Sequence, residues 1–163
     1  MADDNRWTRG GWRSPVGIST IAAVVGVLIA AVGLYVSNRP EPSHDPYLFV
    51  YGTTMPGHLR YPDIKHFVAK AERDSVEGEL FDSGAGYPAA KFGAATGTIE
   101  GYVLKLRPDR VDEALRTMTA MESGLFHPTK VTTAGGVLAT AYEWIGTTDG
   151  LTPLTGMWSG PEA

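Results

Sequence analysis

Residues 16–36, VGISTIAAVVGVLIAAVGLYV, run for 21 positions without a charged side chain. Wound as an α-helix, such a run reaches across a hydrocarbon core of roughly 30 Å. The sequence therefore predicts a transmembrane helix over 16–36, and the remaining chain must fold on either side of it. A cleaved signal peptide is the competing reading. The apolar run exceeds the usual signal core, and Ser37-Asn38-Arg39-Pro40 offers no small-x-small cleavage site, which favours a retained anchor. Arg6, Arg9 and Arg13 precede the run, whereas only Arg39 follows within twenty residues, beside Glu41 and Asp45. The positive-inside rule then puts the N-terminus in the cytoplasm and the C-terminal domain outside the cell membrane. Ala22, Gly26 and Ala30 recur every four residues, a spacing that lets two membrane helices approach and form a homodimer. A crosslinking assay on the membrane form that found only monomer would remove that expectation.

Residues 1–15 make a polar tail, and 37–46 (SNRPEPSHDP), with three prolines, make an extended linker. A globular domain is thus expected over 47–146, followed by a Gly-, Thr- and Pro-rich C-terminal tail over 147–163. In that tail Leu151, Leu154, Met157 and Trp158 are candidate anchors onto the domain. A net charge of −4 and the lack of any basic run interleaved with aromatics set nucleic acid aside as a partner. With no cysteine there is no disulfide framework, thiol nucleophile or thiolate metal site.

Within the domain, Tyr47-Leu48-Phe49-Val50-Tyr51 is a run of β-formers that ends abruptly at Gly52-Thr53-Thr54. A strand entering such a loop is either an ordinary turn or a cradle whose backbone N–H groups converge on an anion. Pro62, with Ile64, Phe67 and Val68 on one face, predicts a short helix over 61–70. Residues 75–82 alternate as a strand and break at 83–88. A further strand is expected over 96–106, a helix over 108–122, and strands near 129–132 and 137–145 flanking the turn 134–136. Strands outnumber helices and do not alternate with them, so the fold class is α+β with a mixed or antiparallel sheet.

The second helix carries an anomaly. Val111, Leu115 and Met118 form its apolar stripe, and Glu122 lies eleven residues beyond Val111, within about 20° of the same face. Asp109, Asp112 and Glu113 suit the helix N-terminus; a carboxylate at the C-terminal end opposes the dipole. Glu122 therefore either frays into solvent or has a task. His44, His58, His66 and His127 show no metal-ligand spacing and read as surface histidines, so no metal is expected. No GxSxG motif is present, and Ser75, Ser83 and Ser123 have no base nearby in sequence.

Taken together, FVYGTTMPG, GELFDSGAGYPAAKF over 78–92, EGYVLKL over 100–106 and the helix ending MES resemble the γ-glutamylcyclotransferase-like family. LTGMWSG is similar to the family's closing SGDW segment, with Met157 where an aspartate is usual. The resemblance implies a small mixed β-barrel-like domain with flanking helices, in which the loop and the glutamate meet. It assigns Tyr51, Gly52, Thr53 and Thr54 to the substrate cradle and Glu122 to catalysis as general acid and base. It implies a small-molecule γ-glutamyl substrate, an amine or peptide, converted to 5-oxoproline and free amine by a lyase or acyltransferase that needs no cofactor. Thr119 stands in place of an aspartate, and Phe126-His127-Pro128 stands where a YxR element is common. The alternative implied by those departures is a non-catalytic binding or scaffold module that keeps the fold.

Overall fold

A computed structural model of the chain describes residues 45–93 and 97–160. The expected transmembrane helix over 16–36, the tail before it and most of the linker lie outside these residues. Among the described residues, no helix is long and apolar enough to cross a membrane.

The elements in order are β1 (Tyr47–Val50), α1 (Tyr61–Ile64) continued by a 3-10 turn (Lys65–Phe67), β2 (Val68–Asp82), β3 (Pro88–Phe92), β4 (Thr98–Leu106), α2 (Val111–Glu122), β5 (Phe126–Thr132), β6 (Leu138–Trp144) and β7 (Thr152–Leu154). One sheet takes the order β3-β2-β4-β1-β6-β5, with β7 on the second half of β2. The strands pair antiparallel except β1 with β6, which meet in parallel at Leu48 and Thr140; an isolated bridge from Glu100 on β4 to Met157 is also parallel. The two halves of the sheet approach again across the gap between β3 and β6. There Lys91 Nζ donates to the Trp144 carbonyl, and the Phe92 N–H donates to Glu143 Oε1 at 3.4 Å. The result is a mixed α+β fold, a nearly closed barrel-like sheet with two short helices.

Strand β1 is central, so Leu48, Phe49 and Val50 are all buried, the continuous apolar run expected of a strand covered on both faces. Beside it β4 comes so close at Gly101 that a Cβ there would lie 2.3 Å from the Val50 carbonyl oxygen. Helix α2 buries Val111, Ala114 and Met118 against this core, while Leu115 of the expected stripe is half-buried and packs beside them. Arg110 Nε pairs with Glu113 at 2.7 Å in its first turn.

The predicted helix over 61–70 is corrected to one turn of α-helix and one of 3-10. From Val68 the chain is already strand, because residues 68–77 are captured by a ladder with β4 that overrides the helix-forming composition of 69–73. The strand expected from 75 is thereby extended back to 68, with a bulge between Val68 and Lys70. Strand β3 was not expected, since its Pro-Ala-Ala start lacks β-branched residues. Ala89 and Ala90 are fully buried, and their small size suits the crowded interior of a tightly curved sheet. In the closing residues, Trp158 is buried and stacks on His58 at 5.4 Å between ring centres, while Leu154 and Met157 pack on the core.

Candidate active site

The candidate site begins where β1 ends. Tyr51 is buried, and its hydroxyl donates to the Tyr142 carbonyl on β6, which fixes the entrance to the loop. The next position must be small: a Cβ on Gly52 would stand 2.9 Å from two ring carbons of Pro88 at the start of β3. The loop then closes on itself, with the Met55 N–H donating to the Gly52 carbonyl at 2.9 Å and the Arg60 N–H to the Thr53 carbonyl at 2.8 Å. These bonds use carbonyls of the loop. Among the described residues they leave the N–H groups of Gly52, Thr53 and Thr54 without a backbone partner, available to an anionic group. Thr54 and Met55 are both buried, Met55 completely, so the end of the loop is anchored in the core.

Glu122 is the last residue of α2, and the helix stays regular through it, so the carboxylate keeps its phase on the inward side instead of fraying away. It lines a cleft of about 690 Å³, measured with its open mouth, whose other walls include Tyr51, Gly52, Thr53, Thr54, Arg60 and Tyr142. The cleft thus brings together every site residue named from the sequence. Burial holds the Glu122 carboxyl above its ordinary range, and the Arg60 guanidinium partly opposes that. Burial also raises Tyr51 and Tyr142, with the Glu122 charge adding to both, so the two phenols stay protonated.

Two contributors escaped the sequence reading. Arg60 donates Nη1 to the Met121 carbonyl at 3.5 Å and lies 4.0 Å from Asp63, while lining the cleft beside Glu122. A single arginine in a loop carries no periodic signal. Tyr142 forms part of the cleft wall, and its hydroxyl donates to the Leu115 carbonyl at 3.3 Å while sharing a 2.9 Å bond with Thr119 Oγ1. Thr119, standing where the resemblance leads one to expect an aspartate, therefore ties the helix to this wall. Phe126 fills its position with an apolar ring that also lines the cleft.

His66 and His127 are exposed, as expected, and His127 lies 3.5 Å from Glu143. His58 departs from that expectation: its Nδ1 is buried without a hydrogen-bond partner against Trp158. His44 lies outside the described residues. Among the described residues, no group of acidic or histidine side chains is arranged to hold a metal.

Solved structures share this fold. A mouse AIG2-like protein is 17% identical with a TM-score of 0.60, over 71% of this chain and 90% of that one. The uncharacterized protein PH0828 of Pyrococcus horikoshii is 22% identical with a TM-score of 0.53, over 67% and 85%. YtfP of Escherichia coli is 25% identical with a TM-score of 0.50, over 69% and 95%. No curated protein matches the chain. Residues 48–160 match the family described as gamma-glutamyl cyclotransferase, AIG2-like, a span that takes in both the loop after β1 and Glu122, and the chain belongs to that family.

Proposed function

We propose that this chain is a γ-glutamylcyclotransferase-like enzyme that converts a γ-glutamyl amine or peptide to 5-oxoproline and the free amine. The observation that carries the reading is one cleft holding both a burial-shifted Glu122 and a loop with unpaired amides. The reaction is an intramolecular aminolysis. The substrate's α-amino nitrogen forms a bond to its own γ-carbonyl carbon, and the bond from that carbon to the leaving nitrogen breaks. Glu122 accepts the proton that the attacking amine loses and returns it to the leaving nitrogen, so no water is consumed. Since nucleophile and electrophile share one molecule, the enzyme's task is to fold the substrate into an attacking geometry. The Gly52, Thr53 and Thr54 amides bind the developing oxyanion. The test is to incubate the full chain with γ-glutamyl amines and measure 5-oxoproline. Absence of product from every one of them would overturn the assignment.

Arg60 is the cation that anchors the substrate's α-carboxylate in this scheme, a task for which a guanidinium is well shaped. Arg60→Met is expected to raise KM by about 10- to 100-fold with a smaller change in kcat, since charge-assisted bonds of this kind contribute roughly 1.5–3 kcal/mol. A drop confined to kcat would remove Arg60 from substrate binding.

The family holds cyclotransferases and catalytically inactive members. A second reading, a binding or scaffold module, is favoured by Thr119 and Phe126, which leave Glu122 without the polar neighbours that the resemblance leads one to expect. The apolar run over 16–36 supports a single-pass cell-membrane anchor with the domain extracytoplasmic. A C-terminal reporter active only in the cytoplasm is expected to stay silent; strong signal there would refute this orientation.

A further inference from the structure

The cleft is unevenly equipped. Among the described residues its lining holds two charged side chains, Arg60 and Glu122. On the proposed reaction both are taken by the glutamyl half of the substrate, Arg60 by its carboxylate and Glu122 by its transferring proton. Nothing charged is left for the half that departs.

Apart from the Gly52–Thr54 loop and the hydrogen-bonded hydroxyls of Tyr51 and Tyr142, what remains is apolar. Met118, Met121, Leu125, Phe126 and Pro88 line the cleft together with the ring of Tyr87. Phe126 and Tyr87 meet edge-to-face at 6.0 Å, and Trp144 braces Phe126 from behind at 5.4 Å, so the aromatic wall is held in place by ring contacts from three separate elements. Two charged side chains beside Trp144, Lys91 and Glu143, lie outside the cleft lining and have contacts of their own, although the Glu143 charge is felt at the Tyr51 hydroxyl. Lys91 Nζ donates to the Trp144 carbonyl, and Glu143 accepts from the Phe92 N–H and lies 3.5 Å from His127. Leu125 borders the cleft and is 42% exposed, so an apolar substituent seated there would cover part of its side chain.

From this inventory we infer that the leaving group is an amine with an aromatic or branched aliphatic substituent and no charge of its own. The inference rests on the cyclotransferase reading and narrows its substrate class. A second carboxylate or ammonium on the departing half would lose water against Phe126 and Leu125 and find no further charged side chain in the cleft lining. A hydrocarbon or aryl group there gains by burial and by edge contact with the ring wall. The proton from the α-amino group ends on the departing nitrogen, and the apolar substituent takes no part in the bond changes.

The experiment compares γ-glutamylbenzylamide and γ-glutamylisoamylamide with γ-glutamylglycine and γ-glutamyl-ε-lysine. It reads kcat/KM for 5-oxoproline on the full chain, and equilibrium binding of the same compounds to full-length Glu122→Gln. The apolar amides are expected to exceed the charged ones by at least about tenfold in both, the scale set by hydrophobic pockets that discriminate among substrates. Leu125→Glu, a change at an exposed position, is expected to erase most of that margin. Turnover without such a margin would overturn the leaving-group inference and leave the cyclotransferase intact. A binding margin without any 5-oxoproline would overturn the cyclotransferase and the leaving-group assignment with it, leaving a cleft that only selects apolar γ-glutamyl amides. Neither turnover nor binding of any compound would overturn both.

Discussion

Glu122→Gln is expected to lower kcat for 5-oxoproline by about 10²- to 10⁴-fold, the range that a positioned general acid and base contributes, and to make the folded domain more heat-resistant at neutral pH. Both effects come from the same burial. A glutamine fills the same space but cannot take up the proton of the attacking amine. It also carries no charge to be held away from water. Because burial raises the Glu122 carboxyl above its value in the unfolded chain, the folded state binds this proton more tightly than the unfolded state. The stability linked to this group is fully present below the unfolded value and is lost as pH rises through the folded value. Thermal melts of wild type and variant should therefore diverge as pH climbs through that window and stay apart above it, with the variant higher. On the proposed reaction the same ionisation sets the acid limb of wild-type kcat/KM, which should lie above the ordinary glutamate range because the base must be charged to work. Equal turnover in the two proteins would remove Glu122 from the chemistry. A melting difference that did not change with pH would show that its carboxyl is not buried as described.

Gly101→Ala is expected to cost at least about 3 kcal/mol in folding stability, the upper end for overpacking a filled interior. The added methyl would meet the Val50 carbonyl oxygen at 2.3 Å and the Phe49 ring at 2.9 Å. Overpacking is often relieved by a rotamer change, but here the obstacle is backbone of the central strand. Val50 pairs with Tyr102 in the β1–β4 ladder and leads directly into the Tyr51–Thr54 loop, so the strand cannot retreat without moving the cleft. Urea unfolding measures the cost as a lowered midpoint. An unchanged midpoint would mean that β4 does not cross β1 at this register.

The parts of the fold that could be read in advance are those whose burial follows a local period. Helix α2 announces itself through Val111, Leu115 and Met118, and the regular helix carries Glu122 to the cleft in phase. Strand β1 is legible because it is apolar on both faces. The first half of β2 was not, since Ala69, Lys70, Ala71, Glu72 and Arg73 favour helix and only the partner strand β4 makes them extended. The site divides in the same way. The loop and Glu122 lie in motifs, whereas Arg60, Tyr142 and the contacts among Tyr87, Phe126 and Trp144 exist only after distant segments meet.

Strand β1 enters first in the chain order yet is flanked by β4 and by β6, where Leu48 meets Thr140. During synthesis, then, the oldest strand of the domain must wait for nearly the youngest, and until β6 leaves the ribosome one of its two ladders has no partner. Pairings so distant in sequence close slowly, and an unpaired apolar strand is a template for mispairing with other chains. Truncation before Leu138 would leave that edge permanently open, so shortened forms of this chain should be aggregation-prone rather than merely inactive.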